Sequence, residues 1–224
     1  MQHDGPINPL PWVVWLLALP MIALEVVFAL GQTGLTSSPA AVGWRIQAIQ
    51  EFAYSPAILK AMAALGDWPP RQVARIVTYP FVQGSFTQAL FGVVILLALG
   101  KMVAEVFRPW SVLVVFFASA IVGALVFTLI PGNVLPLFGA YPAVYGLIGA
   151  FTFLLWGRLA GSGTQYRAFS LIGLLMGVQL LFAALFGGGW EWVADLAGFA
   201  TGFLLSFVVS PGGWNRVITR LRQR

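Results

Sequence analysis

Gly139-Ala140-Tyr141-Pro142-Ala143-Val144-Tyr145-Gly146-Leu147-Ile148-Gly149-Ala150 is the stretch on which the reading of the whole chain turns. It opens an apolar run that carries no charge before Arg158. Proline has a fixed φ and no N–H, which suits the first turn of a helix. Tyr141 and Pro142 therefore mark the predicted start of a membrane-spanning helix. Small residues at Gly139, Ala140, Ala143, Gly146, Gly149 and Ala150 leave little bulk, so a second helix can approach closely. Taken alone, the stretch reads as a small-residue packing face.

Composition sets the environment of that helix. Hydrophobic residues make up 59 % of the chain and charged residues 8 %, with a mean hydropathy of +0.89. A soluble domain carries about 25 % charged residues, so this is a polytopic membrane protein. At roughly 20 residues per span, the 224 residues hold about six or seven helices in one integral membrane domain, 1–224, with no second soluble domain. Cysteine is absent and the one histidine, His3, lies in a polar tail. Disulfides and thiolate sites are excluded, and neither a metal nor another cofactor is expected. The net charge of +5 comes from cations at span ends, where membrane topology places them, so no nucleic-acid partner is expected. The first apolar run, 9–30, has no basic region before it and is long enough to span, so it is not read as a cleavable signal.

Working outward, residues 1–8 form a short tail and the first span runs over about 11–30. Pro20 is a possible kink. Glu25 falls inside this span, where a carboxylate must face protein or water; its plainer reading is a satisfied structural acid. The connection 31–75 is too long for an unstructured loop in a compact domain. Its middle, 44–64, has helical character with tryptophan and basic residues beside apolar ones, as suits a helix lying in the headgroup region. Gly66-Asp67-Trp68-Pro69-Pro70 breaks it. Further spans are expected over about 85–106, 110–130, 141–159, 166–186 and 190–209, the fifth stopping at Gly187-Gly188-Gly189. A basic tail, 211–224, follows. Lys101, Arg108, Arg158, Arg167 and the C-terminal arginines fall on one side of six spans. Arg45, Lys60, Arg71 and Arg75 all lie in the first connection. The basic-residue rule then puts both termini in the cytoplasm and the 31–75 loop outside.

Three segments, in order and in register, resemble the rhomboid intramembrane protease family. Thr78-Tyr79-Pro80-Phe81-Val82-Gln83-Gly84-Ser85-Phe86-Thr87-Gln88-Ala89-Leu90-Phe91-Gly92 is similar to Thr-x-x-Phe-x-His-x-x-x-x-His-x-x-x-Asn. Gln83 and Gln88 stand at its histidines and Gly92 at its asparagine. The opening stretch is similar to Gly-Ala-Ser-Gly-Ala-x-x-Gly, with Tyr141 at the nucleophilic serine and Pro142 at the following glycine. Ala194-Asp195-Leu196-Ala197-Gly198-Phe199-Ala200-Thr201-Gly202 is similar to Ala-His-x-x-Gly-x-x-x-Gly, with Asp195 at the catalytic histidine. Trp44-Arg45 matches a pair common in the family's first loop. The resemblance implies an all-α, six-span bundle with an interfacial helix on its long first loop, set in the plasma (bacterial inner) membrane.

The resemblance also implies a mechanism whose parts are missing. Serine attack needs a base beside the nucleophile and donors for the oxyanion. Tyr141 and Asp195 make no substitute dyad, because a tyrosine hydroxyl near ~10 and an aspartate near ~4 differ by about six pKa units. Gly92 has no side chain to donate, and Gln83 retains only an amide. Asp195 is expected to be held by Tyr145, Tyr141 or Gln83. Ala194, Gly198 and Gly202 form a stripe expected to press the sixth span against the fourth near Gly146 and Ala150. The implied function is a family member that binds transmembrane segments of client proteins in the bilayer without cleaving them. An intramembrane serine endopeptidase is the alternative; a small transporter or pore subunit, kept alive by Glu25 and Asp195, is the third reading.

Overall fold

A computed structural model describes residues 9–32, 43–159, 163–186 and 189–210. The terminal tails, His3, the C-terminal arginines, and Gly187 and Gly188 of the expected fifth-span stop lie outside the described residues. The chain builds α1 (Trp12–Gln32), three short helices α2 (Trp44–Phe52), α3 (Pro56–Leu65) and α4 (Pro70–Thr78), then α5 (Phe86–Val106), α6 (Pro109–Thr128), α7 (Tyr141–Arg158), α8 (Ser170–Phe186) and α9 (Glu191–Val209). Single 3-10 turns, Tyr79–Phe81 and Gln165–Phe169, precede α5 and α8. Among the described residues α1, α5, α6 and α9 are each long and apolar enough to cross a membrane. The protein is an all-α, multi-pass integral membrane protein.

Sequence sets most of these boundaries. Pro56, Pro70, Pro109 and Pro142 each sit in the first turn of a helix, where a missing N–H costs nothing. The Ser85 hydroxyl caps α5 by accepting from the Gln88 N–H at 3.1 Å. The first connection departs from the sequence reading. Its helical middle is two helices rather than one; the second ends at Leu65 on a left-handed Gly66, and a third, α4, starts at Pro70. Residues before a proline avoid the α region, and Ser55 precedes Pro56 in extended conformation. Tyr54 meanwhile exchanges both backbone hydrogen bonds with Leu137, at 2.9 and 2.8 Å, which takes it out of any helix.

These short helices are tied to the bundle. The Tyr54 hydroxyl bonds Thr128 Oγ1 near the end of α6. Burial pushes the Tyr54 phenol up, so it stays neutral. Tyr79 donates to the Ala120 carbonyl at 2.8 Å and is wholly buried. Arg45 completes the attachment. Its guanidinium donates to both Glu25 oxygens, at 3.0 and 2.5 Å, and to the Gln83 carbonyl at 3.0 Å, and it stacks over Phe28. Glu25 is therefore a paired structural acid: the two side chains are 10 % and 11 % exposed.

The centre of the bundle is α7. It is apolar around its circumference, as a helix with no solvent face should be, and is buried from Pro142 to Ala150. It packs mainly on α9 and α6, then on α5. Glycine makes the approach possible. A Cβ at Gly198 would strike the Pro142 carbonyl, one at Gly202 the Gly146 carbonyl, one at Gly149 the Phe199 carbonyl and one at Gly146 the Ser119 side chain. Backbone therefore touches backbone across the α7–α9 seam. Buried Ala194 extends the seam towards α6, since its carbonyl lies 2.9 Å from a Cβ built at Gly123. Ala150 is also fully buried on α7. By contrast α8 rests only lightly on α9 and on the turn before it.

Candidate functional site

The site gathers where α5, α7, α8 and α9 converge at the start of α7. Gly139 makes the entry. Its φ of 97° is a left-handed value that favours glycine, and a Cβ there would meet Gln88 Nε2 and Gln83 Oε1. The two glutamines thus close around the backbone leading into Tyr141. Gln83 is 2 % exposed. Its Nε2 donates to the Pro80 carbonyl at 2.8 Å, and its Oε1 accepts from the Ala140 N–H at 3.4 Å. Gln88 Oε1 accepts from the Gly84 N–H at 2.8 Å. One of the two N–H donors that Gln83 retains is therefore already given to backbone. Gly92 is buried, and Met21 and Ala140 lie 3.6 and 3.8 Å from where its Cβ would be. Both are ordinary contact distances, so what position 92 lacks is the donor side chain itself.

Asp195 lies one helical turn into α9 and is 1 % exposed. None of the three residues expected to hold it does so directly. Gln179 of α8 donates from Nε2 to Asp195 Oδ2 at 2.8 Å, and Gln179 Oε1 accepts from the Tyr145 hydroxyl at 3.2 Å. The chain Tyr145–Gln179–Asp195 joins α7, α8 and α9. The amide stands between phenol and carboxylate because it can accept from one and donate to the other at once. Gln179 escaped the sequence reading, although it is a lone amide in the middle of Ser-Leu-Ile-Gly-Leu-Leu-Met-Gly-Val-Gln-Leu-Leu-Phe-Ala-Ala-Leu-Phe. A polar group isolated in a membrane helix needs a partner on another helix, and that signal was available.

Tyr141 and Gln179 divide two cavities. One, of about 340 Å³, lies between α5, α7 and α8 and is walled mainly by Phe91, Ile95, Ile148 and Leu175. The other, of about 240 Å³, is the more polar of the two: Gln88, Glu191 and Asp195 face it beside Leu137, Phe138 and Pro142. No hydrogen bond is described between Tyr141 and Asp195. Trp44 and Arg45 stand apart from these cavities, but Arg45 holds the Gln83 carbonyl and so braces the strip of backbone from which the site is built. No group of three or more acidic, histidine or cysteine side chains suited to a metal occurs among the described residues.

The arrangement has buried polar groups beside an apolar cleft, with Tyr141 and Gln179 between the two. What it can do chemically is hold hydrogen-bonding or charged groups. A phenol that must pass a proton to a carboxylate is not an activated nucleophile. The family model described as Rhomboid domain matches residues 70–212, more than half of the chain. No curated protein matches the chain. The match spans every segment that builds the site, from α4 through α9, and on it the chain belongs to the rhomboid family.

Proposed function

We propose that this rhomboid protein receives transmembrane segments of other membrane proteins and does not cut them. The observation that carries the reading is the Tyr145–Gln179–Asp195 chain. The residue at the general-base position spends its described hydrogen bond on an amide of α8 rather than on the residue at the nucleophile position. Tyr141 has no base of suitable pKa beside it, and the Gln83 amide donates to backbone. The lipid-facing cleft between α5 and α8 supplies the entry for a guest helix, and lightly packed α8 is the wall that can yield. On this proposal α7 and α8 complete six spans with α1, α5, α6 and α9. Both termini are cytoplasmic, and the 31–75 connection lies on the opposite face.

The test is photocrosslinking in liposomes from a benzoyl-phenylalanine placed at position 141, with a labelled single-span peptide. The peptide is expected to be captured in an intact, full-length adduct, and the unmodified protein is expected to leave the free peptide uncut. Cleavage by the purified wild type, lost in Tyr141→Phe or Asp195→Asn, overturns the proposal.

A further inference from the structure

We propose that the guest this site selects carries a basic side chain, a lysine or arginine at the depth of Asp195. The inference rests on the reading of the chain as a receiver of transmembrane segments and gives the chemistry of the segment. The apolar cleft and the more polar cavity lie side by side, with Tyr141 and Gln179 lining both. Beyond those two residues the more polar cavity presents Glu191 and Asp195, four residues apart and so on one face of α9. The ion pairs among the described residues are Arg45–Glu25, Arg71–Glu51 and Lys101–Glu105. Neither acid of the cavity belongs to one.

Asp195 is the more telling of the two. It is 1 % exposed, and its one described hydrogen bond comes from an uncharged amide. An amide satisfies a lone pair but brings no compensating charge, and an uncompensated carboxylate in a low-dielectric interior is costly. The helix dipole accounts for Glu191, which stands at the first turn of α9. It accounts less for Asp195, since the effect fades within that turn. The two carboxylates also repel each other, and a cation between them relieves both.

The shape of the site fits a lysine or arginine. Such a side chain lays its aliphatic stem along apolar surface and carries its charge to a polar end. Here the stem would follow Phe91, Ile95 and Leu175, and the head would reach the acids beyond Gln179. With no third acidic or histidine ligand among the described residues, the donor set suits one organic cation better than a metal ion. A segment with an acid at this depth would be repelled.

The experiment uses the full chain in nanodiscs of zwitterionic lipid and four single-span peptides, identical except for Leu, Gln, Lys or Glu at the depth of Asp195. The Lys peptide is expected to bind on the order of tenfold to a hundredfold more tightly than the Leu peptide, and the Glu peptide more weakly than either. Within each variant, Glu191→Gln and Asp195→Asn should bring the Lys-to-Leu ratio down towards one. Glu191 is exposed, so its variant keeps the test sound if Asp195→Asn disturbs folding. Equal binding of the Lys and Leu peptides, or a preference that survives both substitutions, overturns the inference and leaves the receiver reading intact. Failure of all four peptides to bind overturns both.

Discussion

At the scale of single residues, the buried acids of this protein are handled in two ways. Glu25 meets a guanidinium that fits both of its oxygens, and each partner is about nine-tenths buried. Removing one member of such a pair strands the other. Arg45→Met is therefore expected to cost about 3–5 kcal/mol, read as a lower unfolding midpoint in detergent. The double variant Glu25→Met/Arg45→Met should recover much of that loss, because two apolar side chains of similar volume leave no charge behind. Asp195 instead relies on Gln179. Gln179→Leu removes the donor to Asp195 and the acceptor for Tyr145 together, and is expected to destabilise by about 1–3 kcal/mol. Gln179→Glu, which also lacks the donor and adds a second carboxylate, should be worse. If Gln179→Leu unfolds at the wild-type midpoint, the hydrogen-bonded chain across α7, α8 and α9 does not contribute to stability.

At the scale of helices, the seam between α7 and α9 and the lightly held α8 have opposite tolerances. Gly202 faces the Gly146 carbonyl with no space for a methyl group, whereas nothing lies within 4 Å of a Cβ at Gly173 on α8. Gly202→Ala is expected to destabilise by about 1–3 kcal/mol through forced separation of two backbones. Gly173→Ala is expected to be neutral, or to gain up to about 1 kcal/mol of helix propensity. Unfolding midpoints of the two variants in the same detergent check this, and equal midpoints would mean that the close approach is not a source of stability. The contrast also bears on function. A seam that cannot slide fixes Tyr145 and Asp195 relative to each other, while Gln179 rides on the helix most able to move away.

At the scale of the whole molecule, the proposal that the protein does not cut its guests draws on the surroundings of the site as well as on its residues. Gly92 carries no donor side chain, the Gln83 amide gives an N–H to the Pro80 carbonyl, and the Pro142 carbonyl is pressed against Gly198. Tyr141→Ser, Pro142→Gly and Asp195→His together are therefore expected to give no cleavage of a membrane reporter. The oxyanion would still lack the donor missing at Gly92, and loss of one donor alone costs about 10²–10³ in rate. Turnover by the triple variant would show that the scaffold around the site is intact after all.

The residue order determined the class of the protein and the frame of its site. Charge scarcity demanded a bilayer, proline placed helix starts, and the stripes around Gly146 and Gly198 carried the family pattern, because these are local signals that survive without knowledge of the fold. The basic and acidic residues of the first connection and first span were legible only singly. Arg45 and Glu25 are 20 positions apart, and nothing in either neighbourhood names the other. The same limit hid the role of Gln179. Its isolation in an apolar helix signals that it needs a partner, but only the packing of α8 against α7 and α9 decides that the partners are Tyr145 and Asp195. Pairing across helices is set by which faces close-packed backbones leave pointing at one another, and that is a property of the assembled bundle rather than of any segment.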